Sequence, residues 1–263
     1  MKQKKKSLPD KLQCILKNHQ LEAVKIGRSP AEVYKCINQK DDSIWYLKEL
    51  VKPAVQEESL RVEKEKLEWF RGKITVPEVV CYDEFSGKEY LLTTGLGPNN
   101  LAEGRLDTAI VIDQFAALLR AIHQLPVSAC PFKETLDVKK GHIQKRLAAA
   151  LVDSNDFEQE FAGMEPQALF ELWQHKTPDD EDLVVVHGDY TLKNVIGYNG
   201  VVAGMIDCGR SGVGDRYQDL AIAFRDISKR ASKEAAYYFL DCYGQWSVDE
   251  EKLSFYIMMD EFF

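Results

Sequence analysis

The chain has 263 residues, of which 45% are hydrophobic and 29% are charged. This is the composition of an ordinary soluble globular protein, long enough for a buried core in one or two folding units. The net charge of −8 argues against a surface for nucleic acid or for an anionic membrane, and fits either a cationic partner or plain solubility.

The sequence also predicts a cytoplasmic protein. No segment approaches the roughly 18 consecutive apolar residues of a membrane span. The basic start, MKQKKKSLPD, has no apolar stretch of the kind found in signal peptides. Six scattered cysteines without a C-x-x-C pair indicate reduced thiols rather than a disulfide framework or a zinc site.

The first third of the chain is predicted to be rich in strands. A short helix near 12–18 is followed by period-two alternation of apolar and polar residues. The predicted strands are 22–26, 32–37, 43–47, 78–83 and 89–93, with a helix at 57–72. A turn-rich patch, 95–100, ends this region.

Beyond that patch the pattern becomes helical, with strand signals only around 184–186 and 201–206. The predicted helices are 106–124, 140–152, 166–175, 219–228, 234–243 and 250–262. We therefore predict an α+β, two-lobed fold with a small β-rich N-lobe, 1–96, which binds nucleotide, and a larger helical C-lobe, 97–263, which carries the catalytic loop and the substrate site. Ligands tend to bind in the cleft between two such lobes.

The stretch 184–219 carries the chemistry. Apolar residues run into His187-Gly188-Asp189, Asn194 follows five residues after that aspartate, and a second apolar run delivers Asp207-Cys208-Gly209. Phosphoryl transfer needs one residue to orient a hydroxyl nucleophile and others to hold Mg²⁺ on the triphosphate. The ordered set predicts a kinase-type site, with Asp189 as the catalytic residue and Asn194 and Asp207 as metal ligands.

A lysine in the β-rich region is predicted to position the phosphates of ATP. Alternation along Ile44–Lys48 places Lys48 on one face with Tyr46. In the next helix Glu65 lies on or beside an apolar stripe, so a Lys48–Glu65 ion pair is the expected kinase arrangement. Taken alone, Lys48 would better fit a surface lysine that extends its ammonium group into solvent, and the Asp189–Asp207 set downstream reverses that preference.

Three further residues are candidates for nucleotide contact. The turn 26–31 lacks the G-x-G-x-x-G pattern, yet Ser29 and its neighbours could donate to phosphate oxygens, or form an ordinary β-turn. Tyr46 is expected to stack on adenine, with Ile206 on the opposite side.

Taken together, these residues resemble the aminoglycoside phosphotransferases, antibiotic-modifying kinases of protein-kinase-like fold, and within them the 3′-phosphotransferases. The resemblance spans nearly the whole chain. The segments that carry it are GRSPAEVY (27–34), YLK (46–48), VEKE (62–65), KITVPEV (73–79), CPF (130–132), HGDYTLKN (187–194), IDCGRSGVGDRYQDLA (206–221) and YIMMDEFF (256–263).

The resemblance implies an enzyme that uses ATP, or GTP, with Mg²⁺, and Thr94 and Leu96 as backbone partners of adenine. It also implies a site for a cationic small molecule, which carboxylates would bind through charge-assisted hydrogen bonds. The implied substrate residues are Asp156, Glu158, Glu160, Arg210, Arg225, Asp260, Glu261 and Phe263 with its carboxylate. The acidic loop 153–160 could instead be a solvated surface loop, and the clustered carboxylates of Asp260, Glu261 and Phe263 are expected to repel one another.

The chain departs from the kinase and family patterns at three points. The chain has His-Gly-Asp in place of the kinase His-Arg-Asp and no A-P-E segment, which predicts an enzyme without a phosphorylation switch. Lys229 and Arg230 place cations where some relatives carry an acidic substrate contact.

The alternative functions are a kinase acting on another small metabolite, such as an amino alcohol or a sugar, and a non-catalytic binding module of kinase fold.

Overall fold

The computed structural model describes residues 7–24, 30–55, 58–97, 99–103, 109–198, 201–244 and 247–263. The chain divides into two compact units, Met1–Pro98 and Asn99–Phe263.

The first unit is built on an antiparallel sheet with strand order β1-β2-β3-β5-β4. Each predicted strand is present, with ends shifted by up to four residues. The first strand begins earlier than predicted, and 25–26 lie outside the described residues. The bounds are β1 His19–Val24, β2 Glu32–Asn38, β3 Ile44–Val51, β4 Val79–Phe85 and β5 Lys88–Thr94.

Two helices of this unit pack on opposite faces of the sheet. Helix α1, Asp10–Ile15, belongs to a buried cluster that includes Leu47 and Leu92. Helix α2, Leu60–Phe70, lies on the face of the sheet that carries Lys48, because the Lys48 side chain of β3 contacts Glu63 on this helix. Alternation along β3 places Leu47 and Lys48 on different faces, so the apolar face and the charged face of the strand have different partners.

Helix α2 begins at a polar anchor. The hydroxyl group of Ser59 accepts the N–H of Arg61 and caps the helix, and it donates to Glu89 Oε2 of β5 at 2.8 Å. The same carboxylate accepts the N–H of Leu60 at 2.7 Å. These bonds satisfy amides that the first helical turn would otherwise leave unpaired, and they attach α2 to the sheet.

The second unit is largely helical, as predicted. Helix 166–175 has the predicted bounds, whereas α4 begins four residues early and α6 three. The predicted start of α3 falls partly in 104–108, outside the described residues. The bounds are α3 Ala109–His123, α4 Leu136–Ala148, α5 Pro166–His175, α6 Arg216–Arg230, α7 Lys233–Tyr243 and α8 Glu250–Asp260.

Two short antiparallel ribbons interrupt these helices. Strand β6, Leu183–Val186, pairs with β9, Gly212–Asp215, and β7, Val195–Tyr198, pairs with β8, Val201–Met205. The sequence pattern indicated only β6 and β8. Strands β7 and β9 have four residues each and contain glycines, too few side chains to establish a period of two.

An aromatic cluster forms part of the core of this unit. Trp173 stacks on Phe255 with ring centroids 5.1 Å apart, and Phe262 packs edge-on against Phe170 and Trp173. Phe262 and Trp173 have at most 1% of their surface exposed. The segment after α8 is thereby attached to α5.

All six cysteines are free thiols. In the described part of the chain, no helix combines the length and the apolar character that crossing a bilayer requires.

Candidate active site

The two ribbons bring the predicted catalytic and metal-binding residues together. Strand β6 leads into the loop 187–194, and β7 follows at once. In the β7–β8 hairpin Val195 pairs with Met205, and the N–H of Ile206 donates to the Asn194 carbonyl at 2.9 Å. Asp207 therefore follows directly on the residue that binds Asn194, although 13 positions separate Asn194 and Asp207 in the sequence.

Asp189 is held by the side chain of Asn194. The amide nitrogen of Asn194 donates to the Asp189 carboxylate at 2.8 Å and to the Asp189 carbonyl at 2.9 Å. Because nitrogen makes both bonds, the amide oxygen Oδ1 of Asn194 is the atom suited to a metal ion. One asparagine can thus orient the catalytic carboxylate and offer a metal ligand.

His187 supports the loop from beneath and is fully buried. Its Nδ1 accepts the Asp189 N–H at 3.2 Å, so its proton lies on Nε2, which donates to the Ile206 carbonyl at 2.9 Å. This tautomer joins the loop before β7 to the segment after β8. Both ring nitrogens of His187 are hydrogen-bonded, so this residue stabilises the loop.

Gly188 permits the close contact of two segments. Its φ is +88°, and a Cβ atom at this position would lie 2.1 Å from the carbonyl oxygen of Arg210. No side chain fits that gap, and the φ value lies in the left-handed region that favours glycine. The glycine allows the catalytic loop to lie directly on the 208–210 turn.

Asp219 was missed as a site residue by the sequence analysis. Its carboxylate is fully buried and accepts the N–H groups of His187 at 2.7 Å and of Gly188 at 2.8 Å. His123 approaches the same carboxylate at 3.1 Å and binds the Tyr243 hydroxyl at 2.7 Å. The available signal was an aspartate followed by the apolar run Leu220–Ala223, because a charge on a buried helix needs partners.

Two carbonyl groups of this loop are also bound by side chains of the second unit. Ser211 donates to the His187 carbonyl at 2.8 Å, and Gln218 donates to the Gly188 carbonyl at 3.1 Å. With Asp219, these residues fix the main chain on both sides of Gly188. The main chain of the loop 187–194 is therefore held in a defined conformation around Gly188.

Asp207 adopts a left-handed conformation, with φ 58° and ψ 49°. Few residues other than glycine do so, and such conformations concentrate at functional sites. Its side chain is exposed. Within the described ranges, no group of three or more His, Cys, Asp or Glu side chains is placed to hold a metal ion. Mg²⁺ bound to a nucleotide usually needs only one or two protein oxygens, and Asn194 and Asp207 offer oxygen donors of that kind.

The electrostatic surroundings of Asp189 link the catalytic loop to residues near the end of the chain. Burial raises the pKa of the Asp189 carboxyl. The positive charge of Arg210 opposes this rise in pKa, and the negative charges of Asp260 and Asp207 add to it. A carboxylate with a raised pKa is better suited to accept a proton during transfer.

In the first unit the structure corrects the predicted partner of Lys48. Its ammonium group lies 2.6 Å from Glu63 Oε1, whereas Glu65 is exposed. The buried stripe of α2 includes Leu60, Glu63, Leu67 and Phe70. Residues two positions apart lie about 200° apart around a helix, so choosing the wrong stripe selected the wrong carboxylate.

The other predicted nucleotide contacts are placed separately in each unit. Tyr46, Thr94 and Leu96 are partly exposed in the first unit. The N–H of Thr94 donates to the Glu78 carbonyl, and the Thr94 hydroxyl group accepts the Glu78 N–H. Ile206 is partly exposed in the second. Ser29 lies outside the described residues.

Three of the predicted substrate carboxylates, those of Glu158, Asp260 and Glu261, lie together around Arg225 and form what we call the acidic cluster. Arg225 contacts Asp260 and lies 3.5 Å from Glu261 and 3.9 Å from Glu158. Arg210 lies 3.5 Å from Asp260. The expected repulsion among the carboxylates is thus offset by two arginines.

The periphery of this cluster is less uniform. Asp156 and Glu160, in the same loop as Glu158, are exposed. The ring of Phe263 lies 5.0 Å from the Arg210 guanidinium and 5.1 Å from the Lys139 ammonium group, distances suited to cation–π contact. Burial raises the pKa of Glu261 to about 7, against the opposing charge of Arg225.

A family model described as "Phosphotransferase enzyme family" matches residues 33–256. The chain belongs to this family. It is 33% identical to an aminoglycoside 3′-phosphotransferase of Niallia circulans, with all of both chains covered. It is 36% identical to one of Streptomyces fradiae, with 94% of this chain and 96% of that protein covered.

Solved structures of the family share the fold. A crystal structure of an aminoglycoside 3′-phosphotransferase of type VIII superposes with a TM-score of 0.82 at 32% identity, over 94% of each chain. An aminoglycoside phosphotransferase, APH(3″)-Id, of Streptomyces rimosus gives 0.83 at 25% identity, over 95% of each chain. The predicted α+β, kinase-like phosphotransferase fold is confirmed.

Proposed function

We propose that this protein transfers the γ-phosphoryl group of ATP, with Mg²⁺, to the 3′-hydroxyl of an aminoglycoside antibiotic and thereby confers resistance. The observation that carries the proposal is the Asp189 carboxylate, held at 2.8 Å by Asn194 in a loop fixed by Asp219. The names of the relatives and their coverage of the whole chain support the same activity.

Asp189 orients the acceptor. The 3′-hydroxyl donates a hydrogen bond to the carboxylate, which aligns the oxygen with the γ-phosphorus. As the new O–P bond forms, the bond to the bridging oxygen breaks, ADP departs with that electron pair, and the hydroxyl proton passes to Asp189. The raised pKa of Asp189 favours this transfer.

Each unit supplies candidate residues for nucleotide binding. Lys48, positioned by Glu63, binds α- and β-phosphate oxygens, a role for which the sequence also makes Ser29 a candidate. Tyr46 and the main chain at Thr94 and Leu96 are the proposed contacts of the base in the first unit, and Ile206 is the candidate in the second. Asn194 Oδ1 and the Asp207 carboxylate would hold Mg²⁺, which would neutralise negative charge on the triphosphate. GTP would use the same phosphate contacts.

The acidic cluster recognises the antibiotic. Aminoglycosides carry several ammonium groups, and the carboxylates of Glu158, Asp260 and Glu261 can bind them by charge-assisted hydrogen bonds. Asp260 acts electrostatically on Asp189, so a cation bound there lies near the catalytic carboxylate. Asp156, Glu160 and Phe263 would extend this surface. The free thiols and the use of ATP support a cytoplasmic location.

The test is ADP release by the purified protein with Mg²⁺ and a panel of aminoglycosides with and without a 3′-hydroxyl, alongside amino alcohols and sugars. Mass spectrometry locates the added phosphoryl group. Turnover only with drugs that carry the 3′-hydroxyl supports the proposal. Turnover restricted to an amino alcohol or a sugar would identify a metabolite kinase, and nucleotide binding without turnover would identify a binding module.

Asp189→Asn tests the catalytic assignment in the same assay. The amide cannot accept the proton, so kcat should fall by about 10²–10⁴. Nucleotide affinity, measured by calorimetry, should change little because Asp189 is not assigned to the metal or to the phosphates. A kcat close to that of the unmodified protein would exclude this role.

A further inference from the structure

The acidic cluster is contacted by an exposed lysine, Lys229. The Lys229 ammonium group, in the last turn of α6, contacts Glu158 Oε1. Its side chain is 54% exposed, whereas that of Arg225, one turn earlier, is 20% exposed. Lys229 is therefore more accessible to solvent than Arg225, which also approaches Glu158.

Glu158 is held in place by its main chain. Its N–H donates to Glu261 Oε2 at 2.9 Å, which fixes the start of the 159–161 helical turn against the segment after α8. The carboxylate of Glu158 thus has a defined position at the edge of the cluster, and Lys229 contacts it there.

We propose that Lys229 is a built-in competitor that occupies Glu158 in the free protein and thereby determines which cationic substrates bind well. This inference rests on the proposed function. An ammonium group of the drug is chemically equivalent to the ammonium group of Lys229, so the drug must displace the lysine or leave Glu158 unused. An aminoglycoside that uses Glu158 therefore binds more weakly than it would in the absence of Lys229.

The two neighbouring cations show why Lys229 has this role. Arg225 also contacts Asp260 and Glu261, and displacing it would remove the positive charge that neutralises the largely buried Glu261 carboxylate. Arg230 pairs instead with Asp226 at 2.7 Å. An exposed lysine pair is weak, and the side chain regains rotational freedom when it is released.

The experiment compares Lys229→Ala and Lys229→Gln with Lys233→Ala. Lys233 lies shortly after Lys229 in the sequence, and its ammonium group lies over the Tyr237 ring, so its removal changes the net charge equally without freeing Glu158. We expect KM for aminoglycosides to fall roughly two- to fivefold in both Lys229 variants, with kcat unchanged, which corresponds to the strength of an exposed ion pair. Lys233→Ala should leave KM unchanged.

Two further measurements tie the effect to Glu158. Adding Glu158→Gln to Lys229→Ala should abolish the gain in affinity, as a double-mutant cycle requires for coupled residues. Calorimetry with drug alone should show the same tightening, reduced at high ionic strength by screening. An unchanged or higher KM in Lys229→Ala, or an equal fall in Lys233→Ala, would overturn the inference.

This experiment separates the inference from the proposed function. If the unmodified protein phosphorylates no aminoglycoside, and calorimetry shows no drug binding, the proposed function fails. If the unmodified protein phosphorylates these drugs and the Lys229 variants have its KM, only the inference about Lys229 fails.

Discussion

At the scale of single residues, the ion pair between Lys48 and Glu63 provides a matched comparison on one helix. Glu63 is buried and paired, and Glu65 is exposed. Glu63→Gln should lower kcat/KM by up to about 10²-fold, because a misplacement of about 1 Å can cost that much. Glu65→Gln should leave the kinetics unchanged. Steady-state assays with varied ATP decide between them, and equal effects would contradict the assignment.

Glu261 makes the stability of the protein depend on pH. Its pKa rises from 4.5 to about 7 on folding, so the folded state binds the proton more tightly. The stability that Glu261 contributes is fully present below pH 4.5 and is lost as the pH rises through about 7.

Glu261→Gln should therefore remove part of the decline in the free energy of unfolding between pH 5 and pH 8. At pH 8 the variant should be about 1–3 kcal/mol more stable relative to the unmodified protein than it is at pH 5. Urea unfolding at both pH values measures this difference. Glu160→Gln, at an exposed position, is the control and should show no such pH dependence.

At the scale of elements, α6 contacts both the loop 187–194 and the acidic cluster. Asp219 near its start holds the loop amides. Asp226, two turns later, accepts the Leu192 N–H at 2.9 Å. Arg225 and Lys229 on the same helix contact the acidic cluster. A shift of this one helix would move both the loop that carries Asp189 and the acidic cluster.

Packing of the catalytic loop on the 208–210 turn can be tested through two glycines with similar φ values. Gly188 has φ +88° and no space for a Cβ atom, and Gly163 has φ +82° with nothing within 4 Å of one. Gly163→Ala should cost about 1–2 kcal/mol from backbone strain alone. Gly188→Ala should cost more and also lower kcat, since the clash displaces the loop.

Thermal unfolding and steady-state kinetics of the two variants measure these effects. If Gly188→Ala retained normal kcat and the stability of Gly163→Ala, the close contact with the Arg210 carbonyl would not constrain the site.

At the scale of the whole molecule, the last two phenylalanines have different roles. Phe262 is fully buried among Phe170 and Trp173, whereas the Phe263 ring lies near cationic groups of Arg210 and Lys139. Phe262→Ala should cost about 3–5 kcal/mol and lower Tm by roughly 6–20 °C. Phe263→Ala should change Tm far less and mainly raise KM for the drug.

Calorimetric unfolding and drug kinetics of the two alanine variants test this division. Similar losses of stability in both would show that Phe263 also belongs to the core. A Phe263→Ala variant with normal drug kinetics would remove this residue from the substrate site.

Short-range patterns were sufficient to predict much of the protein. The strands of the first unit follow from period-two alternation, and helix 166–175 begins with a proline, which favours a first helical turn. The H-x-D-x-x-x-x-N set and the D-x-G triplet predicted the residues that the structure brings together. Both motifs are short and each follows a strand directly, so their residues could be recognised from neighbouring positions in the sequence.

Only the tertiary structure decided the remaining contacts. Selecting Glu63 rather than Glu65 depends on which side of α2 docks on the sheet, and two positions along a helix reverse the direction of a side chain. Asp219 meets Gly188 across 31 positions, and Arg225 meets Asp260 across 35. No local period encodes such pairs, since they form when helices pack and a buried charge must find its counter-charge.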